Sequence, residues 1–272
     1  MLPLEDNFQD ILGKAQRGLE ITDQAIVRDT GISIEDYKKV RDGEFDETIV
    51  RKVAPLLNLD VARLVALGKK EWHPGITRFP AGLARTTTNY EADMTVNAYI
   101  AWDSATKEAV IFDTGADAGP MLEIIKAQQL KPKYILLTHT HGDHIAELPK
   151  LSRETGASVH VHKTQVSGRA QGFEWGDTFQ VGSLKIDTRQ TTGHAAGATT
   201  FVISGLETPV AVVGDAVFAG SMGGGGISYE DALRTNRASI FSLPDETIIC
   251  PGHGPLTTVG LEKKHNPFYP EF

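Results

Sequence analysis

The stretch Thr138-His139-Thr140-His141-Gly142-Asp143-His144 decides how this chain is organised. It places three imidazoles and one carboxylate within six residues, directly after the apolar run Tyr134–Leu137. On an extended backbone, residues i and i+2 point to the same side, so His139 and His141 project together from the end of a predicted strand. The spacing therefore predicts that these two imidazoles share one metal ion, whereas a polar, solvated loop is the alternative.

The second half of the stretch predicts a neighbouring ligand set. Gly142 turns the chain into a predicted helix over Ile145–Arg153, with Asp143 placed at its N-cap. Asp143 and His144 then face a second point close to the first. Neutral imidazole and carboxylate are a ligand set for Zn²⁺, and for iron or manganese when oxygen ligands are added.

Three later segments repeat this local design. Each places a metal-binding side chain where a strand-like run ends in glycine or turn residues. The segments are Thr192-Gly193-His194, Gly214-Asp215 and Pro251-Gly252-His253-Gly254.

Taken together and in this order, the four motifs resemble the metallo-β-lactamase superfamily, from about residue 75 to residue 272. The tail from Pro251 to Phe268 is similar to the glyoxalase II-like branch. The resemblance implies an α/β fold, a four-layer αββα sandwich, which a small all-α bundle precedes here. It also implies that one metal is held by His139, His141 and His194, that a second is held by Asp143, His144 and His253, and that Asp215 bridges them.

By the same resemblance, the cofactors are two divalent metal ions, with zinc expected first and iron or manganese as alternatives. Two cations that share a water lower its pKa from about 15.7 toward 7, which supplies a hydroxide for attack on a carbonyl. Asp143 is the expected catalytic carboxylate, which steers this hydroxide or accepts its proton. The bridging residue Asp215 argues against a true β-lactamase, whose zinc-dependent branch has Cys there.

The expected substrate is a small-molecule thioester, as for a hydroxyacylglutathione hydrolase. Glyoxalase II places basic residues after its Asn-Pro-Phe, but here only residues 269–272 follow Asn266-Pro267-Phe268, so Lys263 and Lys264 are the candidates for binding substrate. The glycine loop Met222–Gly226 also lacks an Arg that relatives often have nearby. Three other functions stay open: a persulfide dioxygenase with one iron held by counterparts of His139, His194 and Asp215, a lactonase, and a DNA-binding regulator.

Asp113 and two further histidines need a separate interpretation. Asp113-Thr114-Gly115 follows a predicted strand and resembles the superfamily's Asp-x-Gly turn, so Asp113 is predicted to orient a metal ligand or the metal-loop backbone. A purely turn-forming Asp is the alternative. His160 and His162 alternate on one face of a strand and are interpreted as ordinary strand histidines.

Residues 1–70 are predicted to form a separate helical domain, and residues 71–272 the catalytic domain. Asp23–Tyr37 resembles the helix-turn-helix of phage-repressor-like domains, with Gly31-Ile32-Ser33 as the turn. Five short helices are predicted from apolar positions three and four residues apart, over Asn7–Gly18, Ile21–Thr30, Ser33–Asp42, Glu47–Leu57 and Asp60–Leu67.

Charge argues against DNA binding by this helical domain. Its eleven basic and thirteen acidic side chains give a net charge of −2, and DNA binding needs a basic surface. Ile34, Glu35 and Asp36 also occupy the front of the would-be recognition helix. We therefore expect no nucleic-acid partner, and we expect the domain to cover the active site or to form a homo-oligomer.

Composition sets the remaining expectations. The 272 residues are 40% hydrophobic and carry a net charge of −8, which suits a large buried core and disfavours anionic membranes. A single Cys excludes an internal disulfide, and Cys250 is interpreted as a core residue. No apolar run has the length of a membrane span, and the first residues do not resemble a signal peptide. A cytoplasmic protein is the expectation.

Overall fold

The computed structural model describes residues 2–91 and 94–272. Within residues 2–91, four of the helices begin after a side chain that accepts a backbone N–H, namely Thr22, Ser33, Asp46 and Asp60. The helices are α1 (Phe8–Gly18), α2 (Asp23–Thr30), α3 (Ile34–Arg41), α4 (Glu47–Val53), a 3₁₀ turn (Ala54–Leu57) and α5 (Val61–Gly68). In the described part of the chain, no helix combines the length and apolar character needed to cross a bilayer.

Two six-stranded sheets follow the helices. The first sheet runs in chain order and contains β1 (Leu83–Asn89), β2 (Thr95–Trp102), β3 (Glu108–Phe112), β4 (Lys131–Leu136), β5 (Ser158–His162) and β6 (Gln171–Phe173). The second sheet runs in reverse order and contains β7 (Thr178–Val181), β8 (Leu184–Gln190), β9 (Thr199–Ser204), β10 (Val210–Gly214), β11 (Ile248–Pro251) and β12 (Thr257–Thr258). Strands β3 to β6 are parallel, as are β10 and β11, whereas the remaining pairs are antiparallel.

Helices cover the outer faces of both sheets, which confirms the predicted four-layer α/β sandwich. The helices are α6 (Gly119–Gln128), α7 (Gly142–Ile145) and α8 (Leu148–Thr155) beside the first sheet, and α9 (Tyr229–Ser239) and α10 (Val259–His265) beside the second. Buried side chains from both sheets, among them Phe112, Phe201 and Cys250, form the core between them. Ile135 packs with Met121 and Leu151 on the outer face of the first sheet.

The helical bundle shares its core with the second sheet. Leu12 and Leu64 belong to one buried cluster with Ala211 and Val213 of β10. The Arg63 guanidinium also donates to the carbonyl oxygens of residues 266, 269 and 272, at 3.0, 2.8 and 2.6 Å. The bundle therefore packs on the sandwich through buried apolar surface, and hydrogen bonds of Arg63 join it to residues 266–272.

Several sequence-based boundaries were wrong. The predicted helix over Ile145–Arg153 is two helices, because Pro149 lies in the first turn of α8 and starts a new helix there. Asp143 is therefore inside α7, and the N-cap is His141.

Candidate metal centre

The predicted ligands come together because five strands end at one edge of the sandwich. Strands β3 and β4 are parallel, and their ends lead to Asp113 and to the loop 138–144. Strand β8 runs with β10, because each pairs antiparallel with β9 between them, and β10 is parallel to β11. The loops after β8, β10 and β11 therefore deliver His194, Asp215 and His253 to the same edge.

One group of four side chains forms the first candidate subsite. Its members, whose ligand atoms all lie within 4.8 Å of one another, are His139, His141, His194 and Asp215. Nδ1 of His141 lies 3.0 Å from Nε2 of His139 and 2.9 Å from Nε2 of His194. Because His139 is buried and His141 is exposed, this subsite opens to solvent on the His141 side.

A second group of three side chains lies directly beside the first. Its members are Asp143, His144 and His253. Oδ2 of Asp143 is 3.4 Å from Nε2 of His144 and 3.2 Å from Nε2 of His253. All three side chains are buried, so this subsite is the more enclosed of the two.

The Asp215 carboxylate lies between the two groups. Its Oδ2 is 3.4 Å from Nε2 of both His194 and His253, and its Oδ1 is 3.2 Å from Nε2 of His144. Gly252 permits this approach, because a Cβ at residue 252 would lie 2.1 Å from Oδ1 of Asp215. One carboxylate thus faces both candidate metal subsites.

Hydrogen bonds from the opposite ring nitrogen orient three of the imidazoles. The acceptors are carbonyl oxygens for two rings, since Nδ1 of His194 lies 3.0 Å from the Gly224 oxygen and Nδ1 of His253 lies 2.6 Å from the Thr95 oxygen. A carbonyl oxygen only accepts, so Nδ1 of each ring carries the proton. Nε2 is then the lone-pair nitrogen that faces the centre of the site.

Asp113 orients both His144 and the metal loop. Its Oδ2 lies 2.8 Å from Nδ1 of His144 and accepts the Thr138 hydroxyl at 2.7 Å, while its Oδ1 accepts the Thr138 backbone N–H at 2.7 Å. Asp113 adopts a left-handed backbone conformation with φ of 57°, which Asp tolerates better than most residues. The contacts match the orienting role expected for Asp113 and go beyond turn formation.

Two buried atoms at the centre have no hydrogen-bond partner among the described residues. They are Nε2 of His144 and Oδ1 of Asp215, and a buried polar atom without a partner is costly. The two atoms lie 3.2 Å apart, and both face the centre of the site. Five imidazoles and two carboxylates, with unpaired donor atoms turned inward, fit divalent cations of the zinc, iron and manganese type.

Charge at the centre keeps both carboxylates ionised. Burial opposes ionisation of Asp215, but the imidazoles of His144 and His253 outweigh it and hold the pKa of Asp215 well below its usual range. The same balance lowers the pKa of Asp143. Burial, reinforced by the neighbouring imidazoles, also holds the pKa of His139 well below its ordinary value, so this ring is neutral and has a free lone pair.

The remaining predicted residues lie elsewhere. Nζ of Lys263 donates to Oδ1 of Asp245 at 2.7 Å, and neither Lys263 nor Lys264 is among the described residues that line the pocket beside the histidines. His162 stacks on the Trp175 ring with centroids 3.8 Å apart. His160 packs edge-on against aromatic rings of the inter-sheet core, so both are strand histidines outside the two groups.

The structure adds residues from the helical bundle that sequence reasoning missed. A cleft of about 500 Å³ beside His141 and His194 is lined by Lys14 and Arg17 of α1. On the other flank, residues 2–5 line a smaller pocket of about 270 Å³ together with Thr95 and Gly254. The bundle thus borders the candidate metal centre, and no local pattern in the sequence distinguishes these residues.

The comparisons with known proteins agree with this geometry. The chain matches the model of the metallo-beta-lactamase superfamily over residues 93–253. An uncharacterised protein of Mycobacterium leprae is 30% identical over 225 residues, which cover 71% of this chain and 97% of that protein. The hydroxyacylglutathione hydrolase GloC of Haemophilus influenzae is 28% identical over 197 residues, which cover 63% of this chain and 92% of that protein.

A solved structure gives the same result. The crystal structure of BLEG-1 B3 metallo-beta-lactamase has a TM-score of 0.60 and 29% identity, and the match covers 68% of this chain and 99% of that one. The family model begins after the helical bundle, at residue 93, and ends at the last predicted metal ligand, His253. Since that model spans more than half of the 272 residues, the chain belongs to the metallo-beta-lactamase superfamily.

Proposed function

We propose that the protein is a dinuclear metal-dependent hydrolase that cleaves a thioester. The observation that carries the proposal is the placement of the Asp215 carboxylate between the two ligand groups, with one oxygen near His144 and the other near His194 and His253. A carboxylate in that position can contact two cations at once. Zinc is the proposed metal, with iron and manganese as alternatives for the same ligands.

When bound, such cations supply a water of lowered pKa and stabilise negative charge on a carbonyl oxygen. A side chain of the protein then accepts the proton that this water loses. Asp143 is ionised, and its Oδ1 accepts no hydrogen bond from a described residue, so this oxygen is free to take a proton. Asp113 holds His144 in the tautomer that turns Nε2 toward the site.

Hydrolysis breaks the C–S bond of the thioester, and the elements of water complete a carboxylic acid and a free thiol. Two observations favour a thioester. The tail from Pro251 to Phe268 is similar to the glyoxalase II-like branch, and one relative is a hydroxyacylglutathione hydrolase.

The test is thiol release from S-lactoylglutathione by protein loaded separately with zinc, iron or manganese. Thiol release that disappears in the Asp215→Asn variant supports the proposal. Absence of turnover with every metal overturns it. Lactone hydrolysis without thioester hydrolysis assigns a lactonase instead, and oxygen consumption with a persulfide by protein that holds one iron assigns a dioxygenase.

A further inference from the structure

The cleft beside the first ligand group has walls from two distant parts of the chain. On one side are residues of α1, and on the other is the glycine loop before α9. The cleft has a volume of about 500 Å³ and is lined by Lys14, Arg17, Gly18, His141, His194 and residues 224–227. This space is continuous with the His141 and His194 side of the candidate metal centre and is open to a molecule bound there.

Helix α1 is joined to the glycine loop directly by a hydrogen bond and indirectly, through Asp6, by an ion pair. Nζ of Lys14 donates to the Met222 carbonyl oxygen at 2.9 Å and forms an ion pair with Asp6. Asp6 also accepts the Ser221 hydroxyl. Because a hydrogen-bonded ion pair at the base of the loop joins the two walls, the cleft has a defined shape.

Arg17 brings to this cleft a positive charge that has no acidic partner among the described residues. It follows Lys14 by three residues, so the two side chains share one face of α1. Lys14 is neutralised by Asp6, whereas Arg17 is exposed and within 4.0 Å of no described carboxylate. No carboxylate is among the described lining residues.

A second hollow lies on the other side of Arg17. Four carboxylates and three cations line it, namely Asp6, Asp10, Glu20, Asp23, Lys14, Arg17 and Arg41, and Lys14 and Arg41 pair with Asp6 and Asp23. Asp10 and Glu20 form no ion pair with a described residue and repel an anion there, so an anionic group is expected on the cleft side of the guanidinium.

The opposite wall offers hydrogen-bond donors and an apolar surface. None of the N–H groups of residues 223–226 donates to a described residue, and backbone N–H groups of a glycine loop are suited to an anion. Ile227, which is 65% exposed, lines the same cleft. The cleft thus combines a guanidinium, unpaired amides and an apolar side chain.

We infer that Arg17 is a specificity-determining residue that binds a carboxylate of the substrate remote from the bond that is cleaved. The substrate class is then a thioester whose thiol portion carries a carboxylate. A guanidinium binds a carboxylate through two parallel hydrogen bonds, which an ammonium cannot reproduce. The inference rests on the proposed thioester hydrolase function, and it assigns to the helical bundle a part of the substrate site.

The test compares two thioesters that share an acyl group, S-lactoylglutathione with its carboxylates and the uncharged S-lactoyl-N-acetylcysteamine. The measured quantity is the preference, the ratio of the two kcat/KM values. Arg17→Ala is expected to lower this preference about tenfold, and Arg17→Lys to lower it less. Arg28→Ala is the matched control, since Arg28 is an exposed arginine of the same bundle that is already paired with Asp29.

An unchanged preference in Arg17→Ala, or an equal loss in Arg28→Ala, overturns the inference. A binding measurement separates this outcome from failure of the proposed function. Calorimetry compares mercaptosuccinate, a thiol with two carboxylates, with uncharged 2-mercaptoethanol on metal-loaded protein. If no thioester is turned over, the proposed function fails, while weaker binding of mercaptosuccinate alone by Arg17→Ala still supports the Arg17 site. Equal binding of both thiols by the wild-type protein and Arg17→Ala contradicts it.

Discussion

Replacing Asp113 with asparagine tests how the fold prepares its metal site. The side chain keeps its shape, and Asn tolerates the left-handed backbone that Asp113 adopts, with φ of 57°. The Asn carbonyl oxygen still accepts the Thr138 N–H. Its NH₂ group, however, replaces the acceptor Oδ2, which lies 2.8 Å from Nδ1 of His144. An NH₂ donor there favours the tautomer with the proton on Nε2, which removes the lone pair that faces Asp143 and Asp215.

The expected loss of metal affinity in Asp113→Asn follows from two general magnitudes. Loss of one hydrogen bond to a charged group costs about 1.5–3 kcal/mol, and each 1.4 kcal/mol is about a tenfold change in an equilibrium constant. Loss of a partner that orients a metal ligand costs about 10–100-fold in metal affinity. We therefore expect Asp113→Asn to weaken the subsite of Asp143, His144 and His253 by about 10–100-fold, with the neighbouring subsite much less affected.

The assay is a zinc titration in competition with a chromophoric chelator, fitted to two sites. Asp103→Asn is the control, because Asp103 is also buried and accepts hydrogen bonds from residues 105, 106 and 183. Asp103 follows β2, which is antiparallel to β3, and therefore lies at the sheet edge opposite the metal centre. Wild-type affinity at both sites in Asp113→Asn, or equal weakening in both variants, would refute the reasoning.

Three further predictions concern stability and nucleic acid. Gly18→Ala places a Cβ 2.2 Å from the Tyr229 ring and should destabilise the fold by about 1–3 kcal/mol. The Cβ of Gly13→Ala meets only the flexible Arg17 side chain, so this variant should stabilise α1 by about 0.5–1 kcal/mol. If denaturant unfolding ranks the two variants in the opposite order, the packing of Gly18 against Tyr229 is contradicted. Burial raises the pKa of Glu262 from 4.5 to about 7, so the stability that this protonated group gives below pH 4.5 is lost as pH rises through 7. As pH rises from 4.5 to above 7, the unfolding free energy of the wild-type protein should fall by about 3 kcal/mol more than that of Glu262→Gln. Equal slopes of unfolding free energy against pH in the two proteins would contradict this prediction. A duplex titration at low salt should show no saturable binding, because the exposed Glu35 and Asp36 lie in the first turn of α3. Salt-sensitive saturation would reverse that expectation.

The grouping of the candidate ligands could be predicted from the sequence because each of the motifs is local. Every candidate ligand lies a few residues beyond a strand, beside a glycine or a turn, and the fold brings those strand ends to one edge. His139 and His141 follow β4, and His253 follows β11, in the same way. Asp113 was predictable for the same reason, since it directly follows β3.

The substrate side could not be predicted in this way. Lys14 contacts the Met222 carbonyl, 208 residues away, and nothing near Lys14 or Arg17 in the sequence signals that contact. The sequence predicts a substrate-binding role for Lys263 because no basic residue stands among residues 269–272, but its side chain pairs with Asp245. Apolar periodicity predicts one helix over Ile145–Arg153, but Pro149 lies in the first turn of a new helix, α8. Asp143 therefore lies in a separate short helix, α7.

The most direct test of the account is anomalous diffraction from crystals of the zinc-loaded protein at the zinc absorption edge. We predict two peaks, each about 2.0–2.2 Å from its ligand atoms. One peak should lie among His139, His141, His194 and Asp215, and the other among Asp143, His144, His253 and Asp215. A single peak, or peaks bound by other side chains, would contradict the claim that Asp215 joins two ligand groups into one dinuclear site.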